Sequence, residues 1–331
     1  MSTDIKTIKQ EIKYFLLINF GIIAFISIFL FISASSPDSS KLIHNFSVMF
    51  MYIPAFSAIV VLKKVSKCEF TSNVEQFLRI FAIFTLVRVV TSIVDVFVFK
   101  STFISSLIDT FISLYLVVLI LSKGSEFEVL NLCLTKNLKK VIFTVLIFLL
   151  VTFGRICVGT LLDGSSILDM RINFLATIWS FVVHFCFYFN LFFGEEFGWR
   201  YFLQPRLQKL YGKRCGVLIL GFIWGIWHLP LCFTLYSPKA PIYGLISKIA
   251  YCMLLGVFFG YAYVKTENIW APILIHLVNN GIVIIGESYE STITIDALLI
   301  SIVVNAIFFL PFLFAKEYKS NNVEESSTLD L

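Results

Sequence analysis

The chain has 331 residues, of which 58% are hydrophobic and only 14% charged, with a net charge of +5. Soluble domains carry about 25% charge. With 37 Phe and a mean hydropathy of +0.90, this composition excludes a large soluble core and predicts a polytopic membrane protein.

A helix needs roughly 20 apolar residues to cross a bilayer. Ten segments meet that need, at about 15–35, 44–62, 77–99, 101–122, 141–162, 174–194, 215–235, 243–264, 269–287 and 297–315. The expected fold class is therefore all-α, a transmembrane helix bundle of about ten spans in contact with the lipid bilayer. The first run exceeds the apolar core of a signal peptide and reads as a span, not a cleaved leader. The third is interrupted by Arg88 and Asp95. The polar tail after Lys316 is expected to be disordered.

Lys and Arg concentrate in cytoplasmic loops. With the N-terminus inside, 18 of the 26 Lys and Arg fall on inside segments, five outside and three within spans. That asymmetry predicts a multi-pass protein of the plasma membrane with both termini cytoplasmic. The positive charges form no basic patch suited to nucleic acid. The seven cysteines include no CxxC pair. An odd number scattered near apolar runs predicts buried free thiols, not a disulfide framework.

Ionisable residues inside a membrane are functional candidates. In "EEFGWR", Glu196 and Arg200 are four apart and share a helix face, while Glu195 is turned about 100° away. The same spacing fits an interfacial salt bridge with Glu195 solvated. The following "QP" is expected to end the helix near Gln204. His228 lies in "WGIWHLP", two residues before Pro230, and fits either chemistry or a structural hydrogen bond. In "HLVNN", His276 and Asn280 put two donors on one face, suited to a developing oxyanion or to an interhelical clamp. His184 reads as structural, on the Glu195 face of one straight helix but about 16 Å along the axis. Arg88, Asp95, Asp109 and Arg155 read as internal ion pairs of the N-terminal spans.

Taken in order, Glu195-Glu196-x-x-x-Arg200, Trp224-x-x-x-His228 and His276-x-x-x-Asn280 resemble the CPBP family. These are intramembrane endopeptidases related to the CAAX prenyl proteases, also called the Abi family. The flanks "GWRYFLQPRL" and "APILIHLVNN" are similar too, and the resemblance covers about 174–285. One departure is Trp224, where the family usually has Phe; altered packing is expected.

The resemblance implies that Glu195 is the general base, that His228 shares and orients the water, and that His276 and Asn280 hold the oxyanion. Glu196 and Arg200 would brace the first helix. No cofactor is expected, although Glu195, His228 and His276 would be the ligands if zinc were used. The implied partner is a membrane-associated peptide or protein substrate, such as a prenylated C-terminus, a leader peptide, a bacteriocin or a pheromone. The implied organisation is 1–172 as N-terminal spans without a recognised motif, 173–290 as the catalytic core, and 291–331 as the last span and tail. Two other classes stay open: a non-catalytic membrane protein such as a bacteriocin immunity factor, and, more remotely, a transporter using Arg88, Asp95 and Asp109.

Overall fold

The computed structural model describes residues 5–162, 164, 174–282 and 294–319. Among them the regular structure is entirely helical. In chain order the elements are α1 (Ile5–Ala34), α2 (Ser40–Lys64), α3 (Ser72–Phe99), α4 (Phe103–Ser122), α5 (Leu138–Leu162), α6 (Leu175–Phe187), α7 (Phe189–Tyr211), α8 (Lys213–Trp227), α9 (Leu229–Tyr236), α10 (Pro241–Thr266), α11 (Trp270–Gly281) and α12 (Ile295–Phe314).

The all-α polytopic bundle expected from composition is the one found, but among the described residues its candidate spans number seven to nine. Seven helices are long and apolar enough to cross a bilayer alone. Two bent pairs, α6 with α7 at 76° and α8 with α9 at 42°, bring the number to nine. Of the segment expected as a span at 269–287, the described part forms the 12-residue α11, about 18 Å long, and 283–287 lie outside the described residues. The expected disordered tail lies largely outside the described residues.

Burial differs sharply along the bundle. The most apolar window of α2 is 72% buried, whereas those of α1, α3 and α4 are 33% buried and those of α5 and α12 22%. α2 is thus the central element, and the outer helices show Leu150, Leu175 and Trp179 to the surroundings. Such apolar exteriors suit lipid, where backbone polar groups must be satisfied inside each helix. The core is aromatic. Phe193 makes edge contacts with Phe77 and Phe81 at 5.1 and 5.2 Å, and Phe202 stacks on Phe15 at 5.1 Å.

The bend between α6 and α7 falls at Tyr188. A helix break leaves backbone groups without partners, and α4 supplies them. The Ser113 hydroxyl donates to Cys186 O at 3.2 Å and accepts from Phe189 N at 2.8 Å. The bend also voids the straight-helix relation of His184 to Glu195. His184 instead meets Ser180 Oγ through Nδ1 at 3.1 Å and packs on Tyr188 and Phe192.

α7 does not end at Gln204. Phe197–Leu203 is π-helical, and a further α-helical stretch, Gln204–Tyr211, follows with Pro205 in its first turn. A proline costs nothing at a first turn, where its missing N–H has no intrahelical partner anyway. The widened turn before it therefore lets the rod continue.

Two glycine pairs at four-residue spacing set the helix packing. A Cβ on Gly194 would collide with Met51 O and one on Gly198 with the Pro54 backbone, so α7 lies directly on α2. A Cβ on Gly221 or Gly225 would come within 2.5 Å of the Met253 or Ile249 Cα, so α8 lies equally close to α10. Small residues at this spacing let membrane helices approach backbone to backbone.

The N-terminal charges are only partly paired as expected. Arg88 pairs with Asp109 at 2.8 Å. Asp95 instead accepts the Ser105 backbone N–H at 2.7 Å, since the helical residues between them set it about 10 Å along the axis from Arg88. Arg155 bonds Asn305 at 3.3 Å and lies over the Tyr251 ring. All seven cysteines are free; three are buried, and Cys215 is exposed.

Candidate active site

The two glycine pairs bracket the residues singled out by spacing. Gly194 and Gly198 flank Glu195 and Glu196, and Gly221 and Gly225 flank Trp224. α7 and α8 are joined by the single residue Gly212, at φ +81°, where a residue with a Cβ would be strained. The resulting tight antiparallel pair brings Trp224, in the last turn of α8, alongside Glu195 on α7.

There the two adjacent carboxylates diverge. Glu196 is fully buried and accepts from Arg200 Nε at 3.1 Å through Oε2 and from His276 Nδ1 at 2.7 Å through Oε1. Glu195, 3% exposed, bonds no cation directly among the described residues; its Oε2 accepts from Trp224 Nε1 at 2.9 Å, and the Trp199 indole and the His276 ring lie within electrostatic reach. A hydrogen bond to an ionised carboxylate contributes roughly 1.5–3 kcal/mol. Phe in place of Trp224 would lack it, so this departure from the family pattern adds a polar contact as well as bulk.

Arg200 lies across the face of Trp224 at 4.9 Å and of Phe259 at 5.1 Å. Its Nη1 and Nη2 are buried without a hydrogen-bond partner among the described residues. Trp224 therefore joins the two carboxylates, holding Glu195 by its edge and the partner of Glu196 by its face.

His228 occupies the bend between α8 and α9. Its Nδ1 lies 2.8 Å from Trp224 O. Because a carbonyl only accepts, Nδ1 carries the proton and a neutral ring presents the Nε2 lone pair. His276 packs edge-on against Phe192 and Phe259, at 5.2 and 5.6 Å, and lies within electrostatic reach of both Glu195 and His228. Asn280 is one turn further along α11 and exposed. Its carbonyl oxygen accepts from Asn279 Nδ2 at 3.0 Å, and Asn279 Oδ1 in turn accepts from Tyr251 at 2.6 Å.

The structure thus links Glu195, Glu196, Arg200, Trp224, His228 and His276 through direct contacts. It places Asn280 at the rim, joined to this group only through its helix. The Glu196–His276 bond was not expected from sequence. Among the described residues, no three His, Cys, Asp or Glu side chains converge closely enough to hold a metal ion.

A family model described as Rce1-like, type II CAAX prenyl endopeptidase, matches residues 177–282. That segment is similar to the CPBP/CAAX protease family. It takes in most of α6 and all of α7 to α11, about a third of the chain, and contains every residue of the candidate site. The match agrees with the resemblance read from the three motifs and supports a CAAX protease-like hydrolase in general. No curated protein and no solved structure matches the chain.

Proposed function

We propose that this protein is an intramembrane endopeptidase whose catalytic core is 173–290 and whose general base is Glu195. The observation that carries the reading is the unequal bonding of two adjacent buried carboxylates. Glu196 is bonded by both Arg200 and His276, whereas Glu195 accepts from the Trp224 indole and bonds no cation directly among the described residues. A buried carboxylate without a counter-cation is costly and is suited to taking up a proton.

In the proposed reaction a water shared by Glu195 and His228 Nε2 attacks the scissile carbonyl carbon. Its proton passes to Glu195 as the C–O bond forms. The resulting oxyanion is met by His276 and the amide of Asn280. His276 spends Nδ1–H on Glu196, so only Nε2 faces the substrate. A ring protonated on both nitrogens would donate to Glu196 through Nδ1 and to the oxyanion through Nε2. Collapse breaks the C–N bond, and the proton on Glu195 goes to the leaving amine. No step draws on a metal or cofactor. The substrate is a membrane-associated peptide or protein.

The lysine and arginine asymmetry supports both termini in the cytoplasm of a plasma-membrane protein, an arrangement that needs an even number of crossings, eight within the range of seven to nine among the described residues. Reporter fusions after Lys13 and after Lys319 should both read cytoplasmic; an external reading from either would reverse it. For the activity, membrane peptides are compared between cells carrying wild type and Glu195→Ala. A cleaved end that disappears only with the variant supports the reading and identifies the substrate. Identical peptide ends in both would favour a non-catalytic role such as immunity.

A further inference from the structure

The helices before residue 177 lie outside the family match, yet the helix carrying Glu195 and Glu196 is bedded on them. Asn190 sits in the first turn of α7, five residues before Glu195. Its Nδ2 donates to the hydroxyl of Tyr52. Tyr52 lies where α2 breaks between two helical stretches, His44–Phe50 and Ile53–Lys64. A tyrosine hydroxyl has one proton, and here it goes to Asp109 Oδ1 at 2.6 Å. The same carboxylate accepts from Arg88 Nε at 2.8 Å and Nη2 at 3.1 Å. Arg88 also bonds Asn45 at 2.7 Å and Ser92 at 2.5 Å. Every named member is under 5% exposed. The relay therefore runs from an ion pair between α3 and α4, through α2, to the start of α7.

We propose that Tyr52 is a positioning residue for the candidate site, its hydroxyl fixing the roll and axial setting of α7. This rests on the endopeptidase reading of Glu195. Ahead of the glutamates α7 is held by Ser113 at Phe189 and Tyr52 at Asn190, beside them by the α2 backbone at Gly194 and Gly198, and beyond them by Tyr201 to Val129 O and Arg206 to Glu11. Of the contacts before Glu195, the Tyr52 bond is the one made by an α7 side chain, so it sets the roll of the helix at its N-terminal end. A carboxylate lies about 5–6 Å from its helix axis, so a roll of about 20° moves it by about 2 Å. That displacement is enough to break the 2.9 Å bond of Glu195 to Trp224 and the 2.7 Å bond of Glu196 to His276.

The test uses the full chain reconstituted in lipid. Tyr52→Phe keeps the ring against Phe81, 5.5 Å away, and removes only the hydroxyl. Asn190→Leu removes the other end of the bond. Misplacement by about 1 Å costs on the order of 10²-fold in rate. Each variant should lose roughly that in kcat per folded molecule with KM unchanged, and the double variant should lose no more than either alone. Ser33→Ala deletes a buried hydrogen bond to Ser39 O outside the relay and should leave kcat unchanged.

A second readout needs no turnover: the rate at which an apolar carbodiimide modifies Glu195, followed by mass spectrometry. It should rise several-fold in Tyr52→Phe, as Glu195 leaves Trp224. If wild type proves inactive, the endopeptidase reading fails, while the carbodiimide rate still reports on positioning. Unchanged modification of folded Tyr52→Phe, with or without a lower melting temperature, overturns the proposal, as does unchanged kcat.

Discussion

Arg88 and Arg200 are both buried in the bundle, and they are bonded in opposite ways. Arg88 places all three guanidinium nitrogens on oxygens of Asp109, Asn45 and Ser92. Arg200 commits only Nε, to Glu196, and lays its remaining two nitrogens between aromatic faces without partners among the described residues. The carboxylates follow suit. Asp109 accepts from an arginine and a tyrosine, whereas Glu195 accepts from one indole. A fully bonded buried ion pair specifies how helices sit together. An under-bonded one keeps hydrogen-bonding capacity for something that arrives later. The N-terminal cluster therefore reads as framework and the α7–α8–α11 cluster as working site.

The sharpest way to break this contrast is Glu195→Gln. Losing a general base costs roughly 10²–10⁴ in rate, and the amide retains the size and the acceptor for Trp224. Turnover should vanish while folded protein accumulates to wild-type levels; full proteolysis by this variant would remove the base from Glu195. Next comes Asn280→Ala, with an expected fall in kcat of roughly 10²–10³ and little change in substrate binding. A clamp at the same position would instead cost about 0.6–2 kcal/mol of stability, with the rate per folded molecule intact.

Between the two arginines the expected ordering is one of stability. Arg88→Met strands Asp109 and should cost about 3–5 kcal/mol, seen as lost folded protein. Arg200→Ala should cost less, because His276 still faces Glu196. Equal melting temperatures for the two would erase the distinction. The smallest effect is expected for Trp224→Phe, which forfeits a bond of about 1.5–3 kcal/mol but leaves Glu195 and His228 in place. Turnover should persist, with thermal stability modestly reduced.

The helical class and the proximity of the candidate-site residues were legible in the sequence for different reasons. Long apolar runs admit few structures in lipid, so α1 to α5, α10 and α12 could be read from hydropathy and length. The ordered motifs pointed to Glu195, His228 and His276, which the fold does gather, although composition alone ranked each as an ordinary polar residue. What escaped depended on breaks. The 76° bend at Tyr188 lies inside an unbroken apolar run, and a serine from another helix stabilises it. Gln204-Pro205 looked like a stop because the preceding wide turn has no sequence signature. The Glu196–His276 bond joins residues 80 apart and could not be read from local spacing. The pairs Gly194/Gly198 and Gly221/Gly225 were a usable signal for close helix contact, since the four-residue spacing of small residues is visible without coordinates.

The wide turn at Phe197–Leu203 has a consequence for sequence change. A π-helical turn holds one residue more than its α-helical neighbours, so α7 carries one residue of slack just after its paired glutamates. Deleting one position there would leave Glu195 facing Trp224. Because the wide turn absorbs that residue, its loss would also keep Arg206 near Glu11 on α1, which it meets at 2.8 Å, whereas a deletion in the α-helical stretch beyond would turn everything after it by about 100°. A one-residue deletion is thus tolerated at this turn and not beside it, and a homologue with a plain α-helix here could dock its first helix in the same way.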